Sequence, residues 1–176
     1  MADSWYDEYE LPDGYSVNDD GRLEDEYGTI AYMTDGACMY NGLPNSYGGC
    51  AFFSGPECFN SWEDPEDRPT NQTSELGAIF GAVRRAHKEG ENDIKILTDS
   101  MYCKKAISYW PNANWRPNAR DDGTWLNSKG NEVANQWLIR KILNSMKHSG
   151  IVAEFIHVDR TDNEIADRMA KEARDE

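Results

Sequence analysis

Two strand-like segments of this chain each end in an aspartate, and this limits the folds that the chain can adopt. Residues 29–34 alternate like a half-buried strand and are followed by Asp35, while the apolar run 93–98 is followed by Asp99. Each aspartate also has an ordinary interpretation, since an Asp-Gly pair is a common turn and Asp99 or Ser100 can cap the next helix. The positions of the other acids decide between these interpretations.

Two further acids fall beside such strand ends. Glu75 lies in the first turn of a helix predicted over residues 73–87, so its side chain can point at the sheet rather than only complement the helix dipole. Asp167 lies one turn inside a last helix that opens with the capping-box form Thr161-Asp162-Asn163-Glu164. Four clustered carboxylates repel one another unless divalent cations compensate them, and such clusters suit Mg²⁺ or Mn²⁺. Two ions about 4 Å apart can activate water and stabilise the leaving oxygen of a phosphodiester.

The order of predicted elements indicates an α/β fold, in which helices pack on a mixed sheet. Gly36 and Gly42 are expected to turn the chain back after the first strand. The remaining elements are a returning strand over 48–54, a short edge strand within 55–69, helices over 101–109 and 131–147, and a strand over 151–158. Trp137 is assigned to the buried face of the second of these helices.

The acid content is concentrated at the N-terminus. The net charge is −14, and residues 1–27 carry ten acids against one arginine. That density predicts a disordered, solvated tail, although its aromatic residues offer a surface for docking on the domain or on a protein partner. Residues 28–176 are long enough and apolar enough to build one core, so we expect a single domain there.

Cysteine usage and hydropathy bear on the compartment. The four cysteines form no C-x-x-C pair, which argues against zinc and for a reducing environment. The first residues do not resemble a secretory leader, and no apolar run is long enough to span a membrane. We therefore expect an intracellular protein of the nucleus or cytoplasm, without membrane contact, and the oligomeric state stays open.

Four motifs then carry a resemblance to a known family. They are Thr34-Asp35-Gly36-Ala37-Cys38 with Asn41-Gly42, Thr70-Asn71-Gln72-Thr73-Ser74-Glu75, Thr98-Asp99-Ser100-Met101-Tyr102, and Asn163-Glu164-Ile165-Ala166-Asp167. In this order they closely resemble the type 1 ribonucleases H over about residues 28–174. The resemblance implies a ribonuclease H-like fold, with a mixed five-stranded sheet flanked by helices on both faces.

The resemblance also implies an activity. The implied reaction is Mg²⁺-dependent endonucleolytic cleavage of RNA paired to DNA, which leaves 5′-phosphate and 3′-hydroxyl ends. Two metal ions would be held by the catalytic carboxylates Asp35, Glu75, Asp99 and Asp167.

The same matching implies the contacts to an RNA–DNA hybrid. In the minor groove, side-chain amides can bond the 2′-hydroxyl that separates RNA from DNA. The residues matched to this groove are Asn41, Asn71 and Gln72, with Cys38 and Met101 beside them. Arg68, Thr70 and Asn135 match a pocket for a DNA phosphate, and Trp110, Trp115 and Trp125 match a channel for the DNA strand. Trp125 is equally well explained by ordinary packing.

Departures from the family pattern keep other functions open. Residues 158–162 leave no room for the Gly-His pair that many members carry in a mobile loop, and Arg160 is the candidate substitute. Near the tryptophans, where members tend to have lysines, this chain has Arg116, Arg120, Asp121 and Asp122, so hybrid binding should be weak and salt-sensitive. One alternative is a slow or inactive domain whose tail, residues 1–27, recruits a protein partner. Another, a DNA-cutting transposase- or integrase-like nuclease, is disfavoured by Asn71-Gln72 and by the four acids.

Overall fold

A mixed sheet forms the centre of the computed structural model, which describes residues 5–176. The strands are β1 (Tyr15–Val17), β2 (Leu23–Asp25), β3 (Ile30–Met39), β4 (Tyr47–Phe53), β5 (Phe59–Glu63), β6 (Asp93–Thr98) and β7 (Val152–His157). The helices are α1 (Asn71–Lys88), α2 (Met101–Ser108), α3 (Gln136–Ser149) and α4 (Glu164–Asp175). Short helical turns cover Trp5–Glu8, Pro111–Trp115 and Arg160–Asp162.

The strands pair in the order β5–β4–β3–β6–β7. The pairs β3–β4 and β4–β5 are antiparallel, while β3–β6 and β6–β7 are parallel, and β5 forms one edge. Because side chains alternate across a strand, Tyr32 and Phe52 pack with α1, α2 and α3 on one face, whereas Met33 and Phe53 pack with α4 on the other. The predicted α/β fold, with a mixed sheet and helices on both faces, is confirmed.

The N-terminal segment differs from the prediction of a disordered tail. Strand β1 pairs with β2, and β2 pairs with the first residue of β3, so the sheet has seven strands rather than five. Leu23 is fully buried in the core on the α4 face. The disorder predicted for residues 1–27 is therefore wrong for 5–27, and residues 1–4 lie outside the described part.

Apolar side chains explain why this acidic segment folds. Five partly buried residues pack on the α4 face of the sheet: Trp5, Tyr6, Tyr9, Leu11 and Tyr15. The carboxylate of Asp25 is buried, and it pairs with Lys95 on β6 at 2.5 Å. Burial of these apolar side chains favours folding of the segment despite its many acids, and Lys95 compensates the buried charge of Asp25.

The helix boundaries also differ in places. Helix α1 begins at Asn71, capped by Thr70, which places Glu75 in the second turn rather than the first. Helix α3 begins at Gln136 rather than near 131, because Asn135 takes a left-handed conformation with φ of 60°. Trp137 is 51% exposed and does not belong to the core, so its assignment there is wrong.

The last helix lacks the predicted capping box. A short 3₁₀ turn occupies Arg160–Asp162, and α4 begins at Glu164 after Asn163, which makes no side-chain cap bond. Instead the Asn163 amide donates to the carbonyl of Thr34 on β3 at 2.9 Å. None of the described helices is both long and apolar enough to cross a membrane.

Candidate functional site

Asp35 lies within strand β3 and not in a turn. The strand continues to Met39, so the turn predicted at Gly36 is wrong. Glycine is required at position 36 for a packing reason. A Cβ atom there would collide with the backbone of Ser74 and Glu75 on α1. Glycine here allows the start of α1 to lie directly on β3, and it brings Glu75 toward Asp35.

The parallel pairing of β3 with β6 brings Asp35 and Asp99 to the same end of the sheet. Met33 pairs with Leu97, and each aspartate follows two residues later. The hydroxyl of Ser100 caps α2 by accepting from the backbone N–H of Cys103 at 3.1 Å. Asp99 therefore has no capping role and is free to face the other carboxylates.

Three of the four predicted acids converge. One carboxylate oxygen from each of Asp35, Glu75 and Asp99 lies within 4.8 Å of the others. Asp167 is outside this tight group, although it lines the same cavity of about 240 Å³. Its carboxylate pairs with Lys171, one helical turn along α4, at 3.0 Å.

The pKa values of these acids reflect their burial and mutual repulsion. Burial raises the pKa of Asp35 to about 9, and the charges of Asp99 and Asp167 add to the effect. Burial raises the pKa of Glu75 to about 7, with Asp99 contributing. Burial also raises the pKa of Asp99, against the opposing charge of Arg160. A metal-free chain at neutral pH thus holds protons in this cavity.

The donor set fits a hard divalent cation. All three converging ligand atoms are carboxylate oxygens, and a cation among them would replace the protons and remove the repulsion. Asp35, Glu75 and Asp99 are therefore the residues best placed to hold a metal ion, with Asp167 next to them. Arg160 and Arg174 also line the cavity and supply positive charge beside it.

Sequence reasoning missed a buried carboxylate that fixes the start of α1. Asp64 accepts hydrogen bonds from the hydroxyls of Ser74 at 2.8 Å and Thr73 at 3.1 Å, and from the backbone N–H of Glu66 at 3.0 Å. Its own N–H donates to the carbonyl of Gly48 on β4 at 2.8 Å. The carboxylate thus links the turn that carries Glu75 to the sheet. No sequence pattern separates Asp64 from the acids around it.

Lys171 and Arg174 were also missed as cavity residues. They follow Asp167 by four and seven positions, and all three line the same cavity. Helical spacing was the signal that could have identified them.

The residues matched to the minor groove gather around the start of α1. The side-chain oxygen of Asn41 accepts from the backbone N–H of Asn71 at 2.9 Å. Cys38 donates through its thiol to the carbonyl of Pro69 at 3.3 Å, and Met101 is exposed at the first position of α2. Of these residues, Cys38 and Asn71 line the carboxylate cavity itself.

The residues matched to the DNA-phosphate pocket also lie close to one another. Asn135 donates through its amide to the side-chain oxygen of Gln72 at 3.2 Å, and Thr70 caps α1, of which Gln72 is the second residue. Arg68 is exposed two residues before Thr70. The N-termini of α1 and α3 therefore meet at this point.

The three matched tryptophans form a row but differ in exposure. Ring centroids are 5.6 Å apart for Trp110 and Trp115, and 5.7 Å apart for Trp115 and Trp125. Trp115 and Trp125 are only 7% and 4% exposed, which favours packing for both, whereas Trp110 is partly exposed. Arg116 and Arg140 lie against the ring of Trp125 at 5.3 and 4.1 Å from its centroid.

Known proteins resemble this chain in sequence and in fold. The RNase H family profile matches residues 28–175. Ribonuclease H of Granulibacter bethesdensis is 30% identical over 154 residues, covering 86% of this chain and 96% of that protein. Human ribonuclease H1 is 28% identical over 155 residues, which cover 81% of this chain and 49% of that protein.

Two solved structures show the likeness in three dimensions. RNase H1 from the archaeon Halobacterium salinarum has a TM-score of 0.54 at 25% identity, covering 84% of this chain and 98% of that one. LC11-RNase H1 in complex with an RNA/DNA hybrid has a TM-score of 0.59 at 18% identity, covering 82% and 96%, and it supports the fold alone. The chain belongs to the RNase H family and is a ribonuclease H enzyme.

Proposed function

We propose that this chain is a metal-dependent endoribonuclease that hydrolyses the RNA strand of RNA–DNA hybrids by a two-metal mechanism. The observation that carries the proposal is the convergence of Asp35, Glu75 and Asp99 within 4.8 Å at one end of the sheet. Membership of the RNase H family supports a divalent metal in that cluster. We propose Mg²⁺ as the ion, with Mn²⁺ as a substitute, and products with 5′-phosphate and 3′-hydroxyl ends.

The carboxylates would hold the metal and set the place of the reaction. When bound, two Mg²⁺ ions supply activation of water and stabilisation of the leaving 3′-oxygen. Asp35, Glu75 and Asp99 are proposed as ligands from three separate elements, so the cluster exists only in the folded chain. Asp167 is proposed as the fourth ligand, which requires its carboxylate to exchange Lys171 for a metal ion.

Selection of RNA is proposed to depend on amides at the start of α1. Asn71 lines the carboxylate cavity, Asn41 bonds its backbone, and Gln72 follows it in α1. Their amides offer donors and acceptors, and a ribose 2′-hydroxyl can use both. Glu75 projects from the same helix, so it is placed to accept from a 2′-hydroxyl while it holds metal. Cys38 and Met101 are proposed as neighbouring contacts to ribose.

The DNA strand is proposed to cross the junction of α1 and α3. Arg68, Thr70 and Asn135 provide positive charge and hydrogen bonds for one phosphate, which would set the register of the hybrid without reading bases. Trp110 is the proposed stacking contact farther along the strand. We propose that Trp115 and Trp125 hold the Trp110 ring in place by packing. Both rings are buried, and they follow Trp110 in the row.

Cleavage of labelled substrates tests this function. We expect an RNA–DNA hybrid to be cut in Mg²⁺, while duplex DNA of the same sequence stays intact. Addition of EDTA should abolish cutting, and Mn²⁺ should restore it. Equal cutting of both duplexes would contradict the proposed recognition of the 2′-hydroxyl, and cutting in EDTA would contradict the metal dependence.

A further inference from the structure

A groove runs between α1 and α3, and one wall of it is strand β5. The two helices start side by side, where Asn135 bonds Gln72 at 3.2 Å. From there the groove continues as two adjoining cavities of about 470 and 590 Å³, which share Trp62, Gly81 and Arg84. Thr73 lines its first part and Lys88 its last, so it follows most of the 18-residue α1, about 27 Å at 1.5 Å per residue. We call it the α1–α3 groove.

Aromatic rings line this groove. The indole of Trp62 lies directly on Gly81, where a Cβ atom would overlap the ring. Phe80 packs on the edge of the core, and Trp137 stands 51% exposed at the start of α3. These rings offer flat surfaces to a ligand in the groove.

The groove also carries positive charge in a chain of net charge −14. Arg84 and Lys141 lie 5.8 and 4.8 Å from the centroid of the Phe80 ring, and Lys88 follows Arg84 by one helical turn. In the described part of the chain, the ion pairs include none of these three cations. Of the described residues that line the last part of the groove, around Lys88, none is acidic.

Two acids also line the first part of the groove. Asp64 is buried and accepts three hydrogen bonds from its own chain. Glu66 is half-buried beside it. Arg84 and Lys141 line this first part together with the two acids, and Lys88 lines the last part. A ligand would thus meet positive charge beside aromatic rings in both parts of the groove.

We infer that the α1–α3 groove binds single-stranded DNA, as the continuation of the DNA strand of a bound hybrid. A basic groove with interleaved aromatic rings is the arrangement that binds single strands without sequence preference. The groove begins at the junction of α1 and α3, where the proposed phosphate pocket of Thr70 and Asn135 lies. The claim that the strand continues from a bound hybrid rests on the proposed function. The claim that the groove binds single-stranded DNA does not.

The cations of the groove can compensate for the small number of unpaired cations near the tryptophans. In that region Arg120 pairs with Asp122 and Glu132, which reduces the counterion release that a DNA strand there can cause. Arg84, Lys88 and Lys141 supply positive charge at a different place, along α1 and α3. A hybrid with a single-stranded DNA end is therefore the substrate that this chain should bind best.

Binding of a labelled 15-nucleotide single-stranded DNA to the full chain in EDTA tests the inference without cleavage. The groove variant is Arg84→Ala with Lys141→Ala, and the matched control is Lys129→Ala with Lys147→Ala, which removes the same charge from exposed positions outside the groove. We expect the groove variant to bind about tenfold more weakly, and its slope of log affinity against log salt to fall by about 1.4, at 0.7 for each lost phosphate contact. The control should match the wild type.

The aromatic contribution is tested with Trp137→Ala, because this side chain is exposed and its loss does not open the core. We expect about tenfold weaker binding with an unchanged salt slope, since stacking releases no counterions. Equal binding by the groove variant and the control would overturn the inference. So would binding of a polyglutamate peptide to the groove in place of the oligonucleotide, which would assign the groove to an acidic protein segment.

A cleavage experiment tests the continuation from the hybrid. A hybrid with a ten-nucleotide DNA overhang at one end should have a several-fold lower KM than the blunt hybrid, and the groove variant should lose this advantage while cutting the blunt hybrid normally. No advantage for an overhang at either end would overturn the continuation. If the wild type cuts no hybrid at all, the proposed function fails, and the EDTA binding result still decides whether the groove binds single strands.

Discussion

Gly36 on β3 lies against the backbone of Ser74 on α1 so closely that no Cβ atom fits between them. This contact sets the distance between the strand that carries Asp35 and the helix that carries Glu75. The proposed metal cluster therefore depends on the absence of a side chain, as well as on the four acids themselves.

Substitution Gly36→Ala should separate β3 from the start of α1. Overpacking of this kind costs about 1–3 kcal/mol of unfolding free energy. A displacement of about 1 Å at the reacting groups lowers turnover about 100-fold, so we expect the folded variant to cut a hybrid about 100-fold more slowly than the wild type. Urea unfolding and hybrid cleavage measure the two effects. Gly77→Ala, which meets only the Cys50 thiol at 3.0 Å, is the control and should stay active.

Asp64 should matter for stability although it contacts no substrate in the proposed function. Asp64→Ala leaves the buried hydroxyl of Ser74 without its acceptor, whereas the Thr73 hydroxyl can still donate to the Thr70 carbonyl at 3.1 Å, so we expect a cost of about 1–3 kcal/mol. Urea unfolding measures the loss, with the exposed neighbour Asp67→Ala as control. Equal stability of the two variants would show that the Asp64 bonds do not hold the start of α1.

The stability of the metal-free chain should fall as pH rises. Burial raises the pKa of Asp35 to about 9 from an ordinary value of 3.8, so the protonated folded form contributes stability below pH 4 that is lost as pH approaches 9. Glu75 loses its contribution between about pH 4.5 and 7. Thermal unfolding in EDTA from pH 5 to 9 should show this decline, and Asp35→Asn should flatten it. Mg²⁺ should restore stability at pH 8 in the wild type only. A decline of the same size in Asp35→Asn would contradict the assignment to Asp35.

The N-terminal segment should contribute to folding. Leu23→Ala removes a fully buried side chain and should cost about 2–5 kcal/mol, whereas Val17→Ala, at a 40% exposed position on β1, should cost much less. Chemical unfolding of the two variants measures the difference. If Leu23→Ala unfolds like the wild type, residues 15–25 do not pack in solution as they do here.

The sequence predicted the sheet and the site best where motif and periodicity agreed. Asp35, Glu75 and Asp99 were predicted from strand ends and helix starts, and the parallel register of β3 with β6 brings the two aspartates together. Ser100 was one of two candidate caps, and its bond to Cys103 decides in its favour. Local sequence patterns predict these features correctly because the tertiary contacts favour the same conformation.

Other features depended on contacts that no local pattern contains. Residues 5–27 were predicted as disordered from their acids, and the burial of Leu23 and the ion pair of Asp25 with Lys95 overrule that argument. Trp137 was assigned to the core by helical spacing, but the helix begins only one residue before it, and Leu138 and Ile142 fill the buried face instead. Asp64 looks like any acid among prolines until the hydroxyls of α1 are placed beside it.

The central claim is that Asp99, with Asp35 and Glu75, forms a metal cluster that cuts RNA paired to DNA. The most direct measurement is the rate of cleavage of a labelled hybrid by Asp99→Asn across a Mg²⁺ titration, with circular dichroism as the check of folding. We predict a folded variant whose rate is at least about 1,000-fold below the wild type at every Mg²⁺ concentration, which corresponds to about 4 kcal/mol of transition-state stabilisation. A folded variant that cuts within a few-fold of the wild-type rate would contradict the account.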